Sequence, residues 1–158
     1  MSKFDVENLR DYLRDVLQAG MAAKVAEINA EKGDSLLSDI PSNQYVRNYN
    51  ETVLNFDLVL YYKIARIETG VSRAGGTDLS VSVIFAVVFS DQADWDAAES
   101  KILRYTRAML EIFTESGYKN SQISDLRIEP FEPDMVQLSE NSPVFQAGGV
   151  QVTGVITA

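Results

Sequence analysis

The spacing of hydrophobic residues along the chain changes several times, and each spacing predicts one type of element. Apolar residues recur every three or four positions in two segments, which is typical of helices that bury one side. They alternate with polar residues in four other segments, which is typical of strands. The predicted elements, in chain order, are helix Asp5–Glu31, strands Thr52–Ile67 and Leu79–Phe89, helix Asp91–Ser116, and strands Ile123–Ile128 and Val144–Thr157.

This order, α-β-β-α-β-β, predicts an α+β fold. We expect a mainly antiparallel, four-stranded mixed sheet with two helices packed on one face. The second face of the strand Leu79–Phe89 becomes apolar halfway along, which indicates a further covering layer such as another subunit. The 158 residues suit one domain, which we assign to residues 1–158.

The two predicted helices have clear end signals and different surfaces. Asp5 is a candidate N-cap of the first helix, and Gly33 suits its C-terminal end. The middle of that helix has only small side chains at 19, 20, 22 and 23, which would allow close approach of a strand or a neighbouring subunit, or simple close packing within the fold. The second helix carries an unbroken apolar stripe that begins at Trp95 and indicates packing against the sheet.

Three long connections are predicted, at residues 32–51, 68–78 and 129–143. The first is rich in apolar residues, which argues against simple disorder, and the second contains three glycines. Long connections of this kind often contact partners. The candidate contact residues are Leu36, Leu37, Tyr45, Tyr49, Val71 and Arg73.

The charge of the chain argues against direct binding of nucleic acid. Fourteen basic residues are dispersed among 23 acidic ones, for a net charge of −9. A phosphate-binding surface needs clustered Lys and Arg, whereas an acidic surface repels DNA and lets it slide past. The N-terminal residues MSKFDVENLRDYL lack the apolar segment of a secretory signal, and no apolar run is long enough for a membrane helix.

The absence of Cys and His excludes most catalytic and metal-binding arrangements. It removes disulfides, thiolate nucleophiles, sulfur and imidazole metal ligands, and any Ser-His-Asp triad. Carboxylate pairs and Ser–Lys pairs remain. The acidic residues near Asp94 suit the positive end of a helix dipole. Ser116 and Lys119 match S-x-x-K, but at a helix end and without the partner motifs. We therefore predict no enzyme activity, no cofactor and no metal site.

The whole-chain pattern resembles the tail terminator (tail completion) proteins of long-tailed bacteriophages. The resemblance is carried by the N-terminal helix, the EINAEKGD exit into a Pro-containing loop, the long hairpin, the second helix and the C-terminal GGVQVTGVITA strand. It implies a hexameric ring that caps the finished tail tube and meets the head–tail connector protein while DNA passes through. It also implies a virion protein at the head–tail junction, assembled in the host cytoplasm.

Class I type III secretion chaperones are the alternative from a different functional class. They resemble this chain in size, acidity and α/β content, and they are dimers that bind extended effector segments. They usually end in a helix, whereas this chain ends in a strand pattern. An enzyme that uses carboxylates alone is the third possibility. The mass of the assembly distinguishes a ring of about six subunits from a dimer.

Overall fold

A computed structural model describes residues 5–47, 58–71, 75–89, 95–116, 123–137 and 144–157 of the chain. These residues form an α+β fold with two α-helices and one five-stranded mixed sheet. The elements are α1 (Val6–Lys32), a 3₁₀ turn (Ser42–Gln44), β1 (Tyr45–Val46), β2 (Leu58–Val71), β3 (Thr77–Phe89), α2 (Trp95–Glu115), β4 (Ile123–Gln137) and β5 (Val144–Thr157).

The strands lie in the order β1-β2-β3-β5-β4. β1 runs parallel to β2, and the other three neighbouring pairs are antiparallel. The prediction of four strands was wrong by one, since β1 is a strand of two residues within the connection predicted at 32–51. Two residues are too few to show an alternating pattern, so the period could not reveal β1.

The ends of α1 are set by its capping residues. The Asp5 side chain accepts a hydrogen bond from the Asn8 backbone N–H at 2.9 Å, and the helix begins at the next residue. Gly33 ends the helix with φ +69°, a conformation that glycine adopts without a steric cost. Its N–H and that of Asp34 donate to the carbonyl groups of Ala30 and Asn29. Both predicted end signals are confirmed.

The thin middle of α1 packs against α2. A Cβ added at Gly20 would lie 3.1 Å from Cγ2 of Ile112, so the glycine lets the two helices approach each other. The small residues therefore serve close packing within the fold, and their neighbour is the second helix of the same chain rather than a strand or another subunit. Asp91 and Asp94, predicted as its first residues, lie outside the described residues, as does the side chain of Trp95.

The core lies between the two helices and one face of the sheet. Alternate residues of β2, β3 and β5 point toward the helices and are buried with them. Phe85 lies at its centre, with its ring centroid 5.2 Å from that of Phe113 and 6.3 Å from that of Tyr62. The largest fully buried side chains are Tyr105, Phe85, Phe113, Leu13, Leu17, Met21, Ile28, Leu60, Ile102, Met109, Val59 and Val81.

Two predicted connections are largely strand in the structure. In the predicted connection 68–78, Glu68 pairs with Ser80 and Val71 with Thr77, so only residues 72–76 separate β2 from β3. In the predicted connection 129–143, β4 continues to residue 137 despite its prolines. β4 lies at an edge of the sheet, where a proline that points outward removes no hydrogen bond from the ladder. The register of the β4–β5 pair also shifts between Phe131 and Asp134.

The second face of the sheet is partly buried by the chain itself. Val59, Ala86 and Val88 are adjacent there in the β2–β3 ladder and are at most 6% exposed in a single chain. Another subunit, which the sequence suggested as a cover for this face, is not needed at that end. Toward the other end of the same face, Lys63, Arg66 and Glu68 are exposed.

Candidate contact surface

The outer edge of β2 is open over most of its length. β1 covers it only at Leu60 and Tyr61, and within the described ranges no other strand pairs with that side. All residues from Ala65 to Val71 are exposed, including Ile67 at 52% and Val71 at 83%. Unpaired backbone groups next to exposed apolar side chains are suited to contact with another chain.

The opposite edge of the sheet is the outer side of β4. In the part of the chain that the structure describes, β4 pairs with β5 alone. Asp125, Arg127 and Glu129 are exposed on this strand. Their partners in the ladder, Val155, Thr153 and Gln151, place them on the second face of the sheet, away from the helices. Both sheet edges therefore carry charged residues on the same face.

Each edge has an internal ion pair between residues two apart. On β2, the Arg66 guanidinium contacts the Glu68 carboxylate, and both side chains are more than half exposed. On β4, the nearest nitrogen and oxygen of Arg127 and Glu129 are 3.9 Å apart. Exposed pairs of this kind contribute about 0–1 kcal/mol to stability, so these charges are free to take other partners. Sequence reasoning missed all four residues, although the tripeptide Arg-Ile-Glu occurs at both places.

The predicted contact residues fall into three groups. Leu37 and Tyr45 are buried, at 3% and 8% exposure, and Leu36 is half-buried. Burial within the chain accounts for Leu37 and Tyr45 without a partner, and their contact role stays a prediction. Val71 is highly exposed at the end of β2. The other two, Tyr49 and Arg73, lie outside the described residues.

Side-chain hydrogen bonds hold the segment after α1 against the helices. The Asn29 amide binds both backbone groups of Leu37, donating to its carbonyl at 2.8 Å and accepting from its N–H at 3.1 Å. The Tyr105 hydroxyl does the same for Ser38, at 2.6 and 3.1 Å. Burial raises the pKa of Tyr105, so its hydroxyl stays protonated and able to donate. This segment is therefore part of the folded body.

A groove of about 500 Å³ runs between α1 and α2 over the small residues of α1. At its end, the buried Lys24 ammonium contacts Glu115 and Glu27 at 3.0 Å and Glu111 at 3.4 Å. Its hydrogen bonds to Glu115 and Glu27 raise the pKa of Lys24, so the amine stays charged. A charged amine surrounded by carboxylates is a poor nucleophile or base, and its role here is to join the helices.

A pocket of about 430 Å³ beside the open β2 edge is basic. It is lined by Arg10, Arg47, Tyr62, Lys63 and Ile64. Beside it, Arg14 donates to the Tyr62 hydroxyl at 3.0 Å and lies over its ring. A group of positive charges on an acidic chain is suited to attract acidic side chains of another protein surface.

Two of the chemistries considered from the sequence, a metal site and a Ser–Lys pair, can be compared with the described residues. Among them, no cluster of three or more acidic side chains could hold a metal ion. The Ser116 hydroxyl donates to the Phe113 carbonyl group at 3.4 Å, and Lys119, its predicted S-x-x-K partner, lies outside the described residues. Within the described ranges, no helix has the length and apolar character that crossing a membrane requires.

No protein-family model matches the chain, and no curated protein matches its sequence. The case for a function therefore depends on the two open sheet edges, the exposed end of β2 and the charges beside them.

Proposed function

We propose that this chain is the subunit of a closed ring that caps a bacteriophage tail tube, as a tail terminator protein. The observation that carries the proposal is that, among the described residues, the sheet leaves two different edges open on opposite sides. A ring requires that one patch of each subunit meets a different patch of its neighbour. The chain meets that requirement because its two edges differ. The β2 edge has the basic pocket and the exposed strand end beside it, and the β4 edge is the opposite side of the sheet.

The charge of the chain supports the passage of DNA through such a ring. The net charge is −9, and Lys and Arg are not concentrated in any segment. A ring built from acidic subunits would bind the phosphate backbone weakly, because binding needs clustered positive charge and the basic pocket is proposed to lie at the subunit contact. DNA would then pass through the opening without being held. The tail tube protein and the head–tail connector protein are the partners proposed for the two ends of the ring.

Imaging and mass measurement test the proposal directly. Six chains of 17.5 kDa would form a ring of about 105 kDa, six times the chain mass. We expect negative-stain images of the concentrated protein, or of the protein added to tail tubes, to show rings at the tube ends. A dimer that captures extended effector segments and ignores tail tubes would contradict the proposal and favour the secretion chaperone.

The exposed end of β2 is the part of the ring contact that a single substitution tests best. Val71→Ser removes an apolar side chain that is 83% exposed and touches little of its own chain, so the fold should be unaffected. Assembly should weaken by about tenfold if that side chain is buried between subunits. Leu103→Ser is the matched control, since Leu103 is an exposed apolar residue at 53% on α2.

Deletion of Val71–Thr77 is the stronger form of the same test. Closing the shortened hairpin costs little in chain entropy, so we expect the domain to fold. If the deletion variant and the Val71→Ser variant both formed rings and completed tails as well as the wild type, the hairpin end would not be part of the interface.

A further inference from the structure

The two open edges carry the same three residues in the same order. Arg66-Ile67-Glu68 lies on the outer side of the sheet at β2, and Arg127-Ile128-Glu129 lies on the outer side at β4. In an antiparallel pair, the order of one strand is reversed relative to the other. Arg66 would then face Glu129, Ile67 would face Ile128, and Glu68 would face Arg127. The tripeptide is therefore complementary to a second copy of itself.

The geometry points to β4 of a second copy of this chain as the strand that adds to the open β2 edge, and we propose this pairing as the subunit contact. The proposal rests on the ring proposed above and specifies its interface. Main-chain hydrogen bonds along the added strand would supply affinity, and the side chains would set the register. The five-residue windows 66–70 and 125–129 would form the new ladder.

The direction of the strands fits a ring. Three antiparallel pairs separate β2 from β4, so the two edge strands of one chain run in opposite directions. A rotation about the ring axis keeps the direction of each strand along that axis. β4 of the next copy would consequently arrive antiparallel to β2, which is the direction that the Arg-Ile-Glu match requires.

The faces of the sheet also agree across the proposed contact. Arg66 pairs with Ser82, Ser82 with Thr153, and Thr153 with Arg127, so Arg66 and Arg127 lie on one face. The hydroxyl groups of Ser82 and Thr153 are hydrogen-bonded at 2.9 Å on that face. Joined edges would therefore form one continuous sheet with the helices of every copy on the same side.

The opposite face supplies the apolar part of the contact. Ile67 pairs with Val81 and Ile128 with Val152, which places both isoleucines on the helix side of the sheet. Ile67 is 52% exposed in the single chain, and Ile128 is half-buried at the border of the core. Pairing Ile67 with Ile128 of the next copy would cover the exposed side chain and extend the core across the contact.

Interruptions in the two strands limit the pairing at one end and support the same register. The β2 ladder shifts between Ile64 and Arg66, so Ala65 is the extra residue there. In the proposed register Ala65 lies opposite Pro130, which has no N–H to donate. The extra residue of β2 and the residue of β4 that lacks a donor then fall at the same place, whereas a register displaced by one residue would set each against an ordinary strand residue. The β4 ladder itself shifts on both sides of this window, between Ile123 and Asp125 and between Phe131 and Asp134.

The alternative contacts are homotypic, with β2 against β2 or β4 against β4 across a two-fold axis. They would also place Arg opposite Glu, because the tripeptide is complementary to itself. They would, however, close as dimers and would leave one edge of each chain open. The ring contact uses both edges, and a charge reversal on one edge weakens only this contact, because each homotypic pair stays complementary to itself.

The first variant reverses only the β2 edge, by Arg66→Glu with Glu68→Arg. The net charge is unchanged, and both substituted residues are exposed, so the fold should be kept. In the β2–β4 contact, Glu would face Glu129 and Arg would face Arg127. We expect the concentration for half-assembly to rise by about tenfold or more, since two attractive cross-strand pairs become repulsive. A β2–β2 dimer would be unaffected, because the reversed tripeptide still complements itself.

The second variant reverses only the β4 edge, by Arg127→Glu with Glu129→Arg. Alone, it should need a concentration for half-assembly that is higher by about tenfold or more, for the same reason, and a chain with both edges reversed should assemble as the wild type does. A mixture of the two single-edge variants is the most specific test. Each variant has one wild-type and one reversed edge, so the mixture should form rings in which the two chains alternate.

Analytical ultracentrifugation and negative-stain imaging read out each case, with circular dichroism as the check on folding. Single-edge variants that assemble normally, alone and on tail tubes, would overturn the inference and leave the proposed ring standing. The inference would also be overturned if the wild type stayed monomeric at millimolar concentration and bound tail tubes no better than either variant. If neither the wild type nor any variant formed rings on tail tubes, the proposed function itself would be refuted.

Discussion

Replacement of Gly149 by alanine tests how closely β3 and β5 pack at the centre of the sheet. Gly149 lies opposite Ala86 in the antiparallel ladder and is buried. A Cβ at this position would overlap the Phe85 carbonyl oxygen and lie 2.9 Å from the Ala86 Cα. Both are backbone atoms of a central strand, so no side-chain rotation can relieve the overlap.

The loss of stability follows from what must move. The two strands have to separate locally, which weakens two or three ladder hydrogen bonds at about 1 kcal/mol each. Phe85 is fully buried, and displacing its backbone disturbs the packing around its ring at about 1–3 kcal/mol. We expect the free energy of unfolding to fall by about 3–6 kcal/mol, a large part of the about 5–15 kcal/mol that such a domain has.

Gly154→Ala is the matched control in the same strand. A Cβ there would lie 3.4 Å from Cγ2 of Ile123 and 3.5 Å from Cδ1 of Leu126, which is ordinary contact. The change should alter stability by less than about 1 kcal/mol, because alanine also restricts the unfolded chain. Urea unfolding followed by far-UV circular dichroism measures both variants. A loss below about 1 kcal/mol for Gly149→Ala, or equal losses in both variants, would refute the reasoning.

Three further predictions concern the helices and the absence of a cofactor. Tyr105→Phe removes both hydrogen bonds to the Ser38 backbone. The free energy of unfolding in urea should fall by only about 1–2 kcal/mol, because Ser38 is exposed and water can replace the hydroxyl. Unchanged stability would contradict this prediction. Hydrogen bonds from Arg107 lower the pKa of Glu31 and Glu111 below the usual 4.5, so their contribution to stability is present above that pH and is lost as the pH falls further. Arg107→Gln should therefore destabilise the chain at neutral pH and resemble the wild type in strong acid; a difference that stays constant with pH would refute the linkage. Dialysis against a chelator should leave the melting temperature unchanged, and a large drop would show that folding needs a metal ion.

The two helices and the long strands could be predicted from the sequence because their signals are local. For α1 these signals are its apolar stripe, the Asp5 cap and Gly33, and all three appear in the structure. Each depends on residues within a few positions of each other. The alternation of β2 and β3 identified both strands, although β2 ends at Val71 and β3 begins at Thr77, beyond the predicted limits. Those extensions contain glycine and charged residues that show no apolar alternation but still pair in the ladder.

The sequence by itself determined which segments bury one side and therefore that helices cover one face of a sheet. It did not determine the fifth strand, the continuation of β4 through Pro130, or the burial of the second face near Val59 and Val88. Strand order decides which backbone edges stay open, and that order depends on contacts between residues far apart in the chain. Only the tertiary structure therefore shows that the two Arg-Ile-Glu segments lie on opposite open edges and share one face of the sheet.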